Sequence, residues 1–136
     1  MSAHTRQAFR AAVTAAADPT PYYETIGTVV DLNKAADTWV TLEFPQTQSD
    51  RVSLGYPACM RETGAVFLHV LARSGVGDAE VIDLAESIRA KFFAPYLGDI
   101  RIIGTQAPFL FPADDGEWLD CVTQISYSWD YVVAAV

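Results

Sequence analysis

The densest group of side chains that could bind a metal ion or share a proton is an acidic turn formed by Asp114, Asp115, Glu117 and Asp120. Clustered carboxylates can bind a hard cation such as Ca²⁺ or work as a paired acid and base. The spacing does not match an EF-hand loop, and hard-cation sites need more converging oxygen ligands than this segment offers. We therefore interpret the segment, which contains Gly116, as a solvated hairpin turn and keep a calcium site as the alternative.

The two histidines and two cysteines offer little material for a nucleophilic or zinc site. His69 lies in an otherwise apolar segment, and His4 lies near the chain start, with no identifiable nucleophile or orienting group for either. Cys59 and Cys121 belong to no CxxC motif or Cys/His cluster of zinc spacing, so we expect reduced core thiols. We interpret His69 as a packed or interface residue, with a role as base or ligand as the alternative. No catalytic residue, metal site, cofactor or enzymatic activity is predicted.

The segment Ser74–Asp78, with the sequence SGVGD, lies between a predicted strand and a predicted helix, where anion-binding loops occur. It has neither a Walker lysine nor a complete GxGxxG pattern, and the Asp78 carboxylate would repel a phosphate. We therefore interpret it as a tight turn that leads from the strand into the helix.

The charge balance argues against specific nucleic-acid binding. The net charge is -8, from 17 acidic and 9 basic residues, and the lysines and arginines are scattered singly, whereas nucleic-acid binding needs phosphate neutralisation. An acidic wall that repels a DNA backbone suits a conduit through which DNA passes. The start of the chain lacks the apolar core of a secretory signal, and no apolar run approaches the roughly 18 residues of a membrane span. We expect a soluble protein that is retained in the cell that makes it and binds no membrane.

Hydrophobic periodicity predicts two principal helices. Residues 2–17 place Phe9 and Val13 at helical spacing, and Asp18-Pro19 ends that helix. Asp78 is placed as an N-cap for a second helix over Ala79–Phe93, which carries one apolar stripe.

Strands are predicted where apolar and polar residues alternate and where Gly or Pro residues mark the ends of such a segment. A segment that follows Gly64 is apolar on both sides, which predicts a central strand covered on each face. The polar stretch Gln46–Asp50 is predicted to be a hairpin loop, and Pro108–Pro112 an extended apolar piece. The other predicted strands are Thr38–Phe44, a weaker Arg51–Tyr56, Ile100–Gln106 and the long Glu117–Val133.

This order of elements predicts an α+β fold with a mainly antiparallel (mixed) sheet and two principal helices packed against it. No internal repeat or linker divides the sequence, so residues 1–136 are predicted to form a single domain.

The order of motifs resembles the tail terminator, or tail completion, family of long-tailed bacteriophages and phage-like particles such as gene transfer agents. Each motif alone is unspecific, and the resemblance rests on their order and spacing over nearly the full chain. The motifs are the N-terminal helix, the acidic and Trp-led strand Asp37–Leu42, Arg61–Gly64 leading into AVFLHVLA, the Gly75–Gly77 turn, the helix ending at Ile88–Phe93, and the final strand WLDCVTQISYSWDYVV.

The resemblance implies a structural virion protein that forms a six-fold ring, caps the tail tube, stops tube polymerisation and provides the head-tail joining surface. The implied partners are further copies of the chain in a hexamer, the tail tube protein and a head-completion or connector protein, while DNA passes through the ring. The implied location is the host cytoplasm during assembly and then the head-proximal end of the virion tail.

By analogy with such rings, the polar face of the last strand and the Gln46–Asp50 segment are candidate interface elements. A different head-tail joining or tail tube subunit is an alternative of the same class. An alternative of another class is a small-molecule-binding or enzymatic homo-oligomeric α+β domain, with a deep pocket near His69 or the acidic turn. The candidate interface residues are Gln46, Gln48, Asp50, Arg51, Gln124, Ser126, Ser128 and Asp130.

Overall fold

In the computed structural model, the described residues form an α+β fold in which two helices pack on one face of an antiparallel sheet of seven strands. The structure describes residues 1–25, 31–32, 34–55, 57–73, 75, 77–112 and 117–133, with only the backbone of 111 and 112. The predicted fold class is therefore confirmed. In chain order the elements are α1 (Ala3–Ala17), β1 (Thr38–Glu43), β2 (Gln48–Arg51), β3 (Ala58–Arg73), α2 (Asp78–Ala90), β4 (Tyr96–Leu97), β5 (Ile100–Thr105), β6 (Phe109–Pro112) and β7 (Trp118–Val133).

The centre of the sheet is the antiparallel pair of β3 and β7, two strands of 16 residues each. Their register runs without interruption from Ala58 opposite Val133 to Arg73 opposite Trp118. The sheet order is β1-β3-β7-β5-β4, with β2 beside the first part of β3 and β6 beside the first part of β7. Because side chains alternate along a strand, the even-numbered residues of β3 and the odd-numbered residues of β7 face the helices.

The core lies between this helix-facing side of the sheet and the two helices. The Phe9 ring of α1 packs 5.3 Å from the Tyr127 ring and 5.8 Å from the Phe92 ring, measured between centroids. Burying one such large apolar side chain contributes about 1.5–3 kcal/mol. The core also contains Val13, Val66, Leu68, Val70, Val81, Ala85, Ile88, Cys121 and Ile125.

Both predicted helices are present, with small differences at their ends. Helix α2 ends at Ala90 rather than Phe93. Asp78 was placed as its N-cap, but it is the first helical residue, and Gly77 takes the cap position without a side-chain hydrogen bond. Gly77 has a φ of 97°, which glycine adopts readily, so backbone geometry begins this helix rather than a capping carboxylate. No helix of the described residues is long and apolar enough to span a membrane.

A buried carboxylate fixes the start of α1 to the sheet. Glu62 of β3 is 5% exposed and accepts hydrogen bonds from the Ser2 amide at 3.0 Å, the Thr5 hydroxyl at 2.8 Å and the Tyr127 hydroxyl at 2.8 Å. Ser2 also caps the helix, because its Oγ accepts from the Thr5 amide at 3.2 Å. Burial raises the pKa of Glu62, but the hydrogen bonds from Tyr127, Thr5 and Ser2 outweigh it and hold that pKa below its ordinary value.

Several strand predictions are wrong in their positions. The Gln46–Asp50 segment was predicted to be a loop, yet most of it forms β2, and the turn of the hairpin lies after Arg51. The weak strand predicted over Arg51–Tyr56 is largely this turn, with Tyr56 itself outside the described residues. All four residues of β2 are exposed, so the strand has no apolar alternation and depends on backbone pairing with β3.

The central strand also differs from its prediction. It begins at Ala58, before Gly64, and helices cover only one of its faces in the described structure. Gly64 itself faces the Thr47 side chain so closely that an added Cβ would lie 2.7 Å from the Thr47 Cγ2. Strands β5 and β7 and the extended apolar piece, now β6, are confirmed within one or two residues. The segment between Pro19 and Lys34 is described only in part.

Replacing Glu62 with glutamine tests this anchor. One acceptor oxygen becomes an NH₂ donor that faces other donors, and a buried unsatisfied group costs about 1–3 kcal/mol. We expect the free energy of unfolding, measured by urea titration with tryptophan fluorescence at pH 7, to fall by about that amount. Glu80→Gln on the exposed first turn of α2 is the matched control, with an expected change within about 0.5 kcal/mol.

The same anchor predicts a pH dependence. A carboxyl whose folded pKa is depressed stabilises the fold above its unfolded pKa, here near the ordinary value of 4.5, and this contribution is lost as pH falls through the folded pKa. The stability difference between wild type and Glu62→Gln should therefore shrink below pH 4.5. A difference that is constant between pH 7 and pH 3 would contradict the assigned role of the ionised Glu62.

Candidate functional site

The face of the sheet that points away from the helices, here called the outer face, carries most of the predicted interface residues. Strands β2 and β7 flank β3, so Gln48 opposes Thr63 and Ser128 opposes Thr63 from the other side. Directly opposed residues of neighbouring strands point to the same face. The structure thus brings Gln48, Asp50, Gln124, Ser126, Ser128 and Asp130 onto the outer face.

Two predicted interface residues lie elsewhere. Gln46 lies in the connection between β1 and β2, where it lines a shallow groove with Thr47, Thr63 and Gly64. Arg51 opposes Met60 and therefore points to the helix side of the sheet, and its Nε donates to the Ser53 carbonyl at 2.8 Å. Arg51 therefore stabilises the hairpin turn and does not contribute to the outer face.

An ion pair organises the polar end of the outer face, which we call the polar patch and define as Gln48, Asp50, Arg61, Ser128 and Asp130. Arg61 donates two hydrogen bonds to Asp130, from Nε at 2.7 Å and from Nη2 at 3.0 Å. Gln48 donates to the Asp50 carboxylate at 2.9 Å. The hydrogen bonds from Arg61 lower the pKa of Asp130. Exposed pairs add little to stability, so the patch presents a fixed arrangement of charge rather than a source of stability.

The middle of the outer face is apolar and concave. An open concavity of about 330 Å³, here called the outer concavity, lies between β1, β3, β7 and the segment that leads into β6. Its apolar surface comes mainly from Phe67, Val122 and Phe109, and the Phe109 side chain is 67% exposed. The remaining lining residues are Glu43, His69, Gln106, Ala107 and Gln124.

His69 lies beside this concavity and is held between two carboxylates. Its Nδ1 is 3.1 Å from both oxygens of Asp120, and its Nε2 is 2.8 Å from Glu43 Oε2. Its side chain is 19% exposed, which confirms the interpretation as a packed residue. Burial lowers the pKa of His69, but the hydrogen bonds and charges of Asp120 and Glu43 outweigh burial and raise that pKa above its ordinary value.

This geometry bears on the alternative role of His69 as a base. Both ring nitrogens face carboxylates, whereas a base in a nucleophilic mechanism needs one nitrogen directed at a hydroxyl or thiol. The cluster of Glu43, His69 and Asp120 is therefore a hydrogen-bonded contact between β1, β3 and β7. An imidazolium can donate to both carboxylates, while neutral imidazole can donate to only one.

The other candidates from the sequence are resolved only in part. Asp114 and Asp115 of the acidic turn, and Ser74 and Val76 of the SGVGD turn, lie outside the described residues. Within the described ranges, no group of three or more His, Cys, Asp and Glu side chains could hold a metal ion. Cys59 and Cys121 are free thiols, and burial of Cys121, with the charges of Asp120 and Glu86, raises its pKa to about 11. Cys121 is therefore a protonated thiol at neutral pH and lies in the core as predicted, whereas Cys59 is only half-buried and lies outside the core, so the prediction of a core thiol is wrong for Cys59.

Sequence reasoning missed an apolar surface at the turn between β2 and β3. Leu54 is 100% exposed there, and Val52, Val132 and Val133 are exposed beside it at the same end of the sheet. We call these four residues the hairpin end. The signal in the sequence was a leucine and a valine inside a turn segment, where polar residues are usual.

The cluster around His69 predicts a measurable titration. The pKa of His69 is raised in the folded state. The contribution of protonated His69 to stability is therefore complete below its unfolded pKa of about 6.5 and is lost as pH rises through its folded pKa. We expect ring chemical shifts in ¹H-¹⁵N spectra to give a His69 pKa above 6.5. Glu43→Gln, at a side chain that is 60% exposed, should lower that pKa by removing one carboxylate without disturbing the core. A pKa at or below 6.5 in the wild type would show that burial outweighs the carboxylates.

Comparison with known proteins gives a likeness in fold. No protein-family model and no curated protein matches the chain. Among solved structures, the chain is similar to a chain in the virion of a native gene transfer agent (GTA) particle, with 15% sequence identity and a TM-score of 0.57. The match covers 93% of this chain and 91% of the other, so the two chains share one fold over nearly their whole length.

Proposed function

We propose that this protein is a structural component of a phage-like virion and, more specifically, a tail terminator. In this role it forms a ring that closes the tail tube, stops tube polymerisation and offers the surface on which the head joins. The observation that carries the proposal is the full-length fold likeness to a chain of a gene transfer agent virion. The resemblance of the sequence motifs to tail terminators supports the same class from a separate direction.

The character of the surface supports a role in assembly. The outer face combines an apolar concavity with a polar patch, and protein interfaces commonly have an apolar centre surrounded by a polar rim. The proposed partners are further copies of the chain in a hexameric ring, the tail tube protein and a head-completion or connector protein. The net charge of -8 suits the wall of a channel for DNA, because it repels phosphates instead of holding them.

The fold likeness is also compatible with another head-tail joining protein or with the tube subunit. A tube subunit polymerises by itself into long cylinders, whereas a terminator stops at one ring. Electron microscopy of the purified chain alone distinguishes these two roles. The alternative of a small-molecule-binding or enzymatic domain would rest on His69 beside the outer concavity. Saturable binding of a small ligand in the concavity would distinguish this alternative from a structural role.

Tail termination is tested by adding the purified protein to polymerising tail tube subunits. We expect shorter tubes that carry an additional ring of density at one end, scored by negative-stain electron microscopy. Glu80→Gln, on the helix side of the molecule, should act as the wild type does. Tubes of unaltered length with bare ends would refute the capping role.

The polar patch and its neighbours form the proposed rim of the contact with other virion proteins. Replacing Ser128 by arginine adds a cation and bulk at the centre of the predicted interface residues. We expect Ser128→Arg to raise the protein concentration needed for half-maximal capping by about tenfold, which corresponds to about 1.4 kcal/mol. If Ser128→Arg and the wild type have the same half-maximal concentration, this part of the surface does not belong to the interface.

A further inference from the structure

We infer that Arg6, Arg10 and Tyr22 form a binding site for an oxyanion, a carboxylate or phosphate group, on the helix side of the sheet beside β1. The inference goes beyond the proposed function and does not depend on it, because the site would bind its ligand in the isolated chain as well as in a virion.

Two arginines of α1 share one aromatic ring. Arg6 and Arg10 are four residues apart, so their side chains leave the helix on the same side. Their guanidinium carbons lie 5.2 Å and 5.4 Å from the centroid of the Phe44 ring, which is 9% exposed. Like charges at this helical spacing repel each other. The shared ring therefore holds a local positive charge on a chain whose net charge is -8.

The acidic side chains of the described structure neutralise only one of these two cations. The Nε of Arg10 lies 2.6 Å from Oε2 of Glu24. Arg6 forms no ion pair with any residue that the structure describes. The buried carboxylate of Glu62 does not serve Arg6, because it already accepts three hydrogen bonds and is in no ion pair with a described residue. One guanidinium is thus left without a counter-ion from the described part of the chain.

The donors of this group also lack hydrogen bonds. The Nε atoms of Arg6 and Arg10 and the hydroxyl of Tyr22 are buried and have no hydrogen-bond partner among the described residues. Arg10 Nε is close enough to Glu24 for an ion pair, but its N–H is not directed at the carboxylate oxygen. Contact with a ring face attracts the charge of a guanidinium and satisfies none of its N–H groups. Buried polar groups without partners are rare in native proteins, and a bound ion is one of their explanations.

Tyr22 is held beside Arg10 by pairing at the edge of the sheet. Backbone hydrogen bonds of 3.0 Å join Val40 of β1 to the residues on either side of Tyr22. Burial and the charge of Glu24 raise the pKa of Tyr22 above its ordinary value and outweigh the lowering effect of Arg10. The hydroxyl is therefore protonated at neutral pH and can donate a hydrogen bond.

This set of donors selects the chemistry of the ligand. A guanidinium presents its N–H groups as a planar fork that matches two oxygens of a carboxylate or a phosphate. The Glu24 carboxylate shows that such a group can reach Arg10. A spherical anion such as chloride cannot meet both prongs of a fork with two separate atoms. The site should therefore prefer an oxyanion to chloride at the same ionic strength.

The site is tested by titrating the protein with sodium phosphate and, separately, with sodium succinate, at an ionic strength held constant with sodium chloride. The Nε–H signals of Arg6 and Arg10 in ¹H-¹⁵N spectra report binding directly. We expect saturable shifts of both signals, with a Kd of about 1–10 mM for at least one of the two ligands. The ligand with the lower Kd shows whether the site prefers a phosphate or a carboxylate.

Two variants remove one donor group each. Arg6→Gln removes the cation that lacks a counter-ion and should raise the Kd at least about tenfold. Tyr22→Phe removes only an unpartnered hydroxyl, so it should raise the Kd about threefold without lowering the melting temperature of the free protein. Arg101→Gln is the matched control, because Arg101 is exposed and opposes Ser128 on the outer face; this variant should bind as the wild type does.

Three results would overturn the inference. The first is the absence of saturable shifts up to about 100 mM of either ligand, or equal shifts with sodium chloride alone. The second is an Arg6→Gln variant that binds both ligands as tightly as the wild type. The third is a Tyr22→Phe variant with unchanged affinity and a lower melting temperature, which would assign the hydroxyl a structural role and exclude it from the site.

Discussion

The uninterrupted pairing of β3 with β7 is the constraint on which the rest of the structure depends. Because the two strands are paired over their full lengths, one register decides the face to which every side chain on both strands points. Val66 and Ile125 thereby reach the helices, while Phe67 and Gln124 reach the outer face. A slip of one residue would exchange these faces and place Phe67 and His69 under α1 and α2. The core and the candidate interface are therefore two consequences of a single register.

Glu62 shows how that register also fixes the helices. Its position on the helix-facing side of β3 places its carboxylate beneath the first turn of α1, where Ser2 and Thr5 donate to it. The positive end of a helix dipole further favours a negative charge at this place. The Tyr127 hydroxyl binds the same carboxylate, so one buried group joins β3, β7 and α1. An apolar residue at position 62 could pack against the helix, but it could not define where the helix begins.

Local patterns in the sequence predict the parts of the fold in which one side is buried. The alternation along β7 and the apolar stripe of α2 are set by burial, and both elements are found where they are expected. Strand β2 has no buried residue and therefore no pattern, so its existence follows only from its pairing with β3. His69 and Asp120 are 51 positions apart, and their contact depends on the register between β3 and β7. The hydrophobic periodicity of the sequence does not specify that register. The predicted interface residues of β7 lie on one face because side chains alternate along a single strand, and the sequence shows that alternation directly. The face to which Arg51 points depends instead on the pairing of β2, which the sequence pattern does not predict.

The polar end and the middle of the outer face differ in the polarity of their side chains. Near Ser126, Ser128 and Asp130, the face is polar, as is usual for an antiparallel sheet with one solvated side. Around Phe67, Val122 and Phe109, the same face is apolar although no helix of the described structure covers it. If solvation alone shaped this surface, the polar pattern would continue along the strands through that region. The change from polar to apolar within single strands supports the proposed assembly, in which another protein of the virion would cover the middle of the face and leave its polar end at the rim.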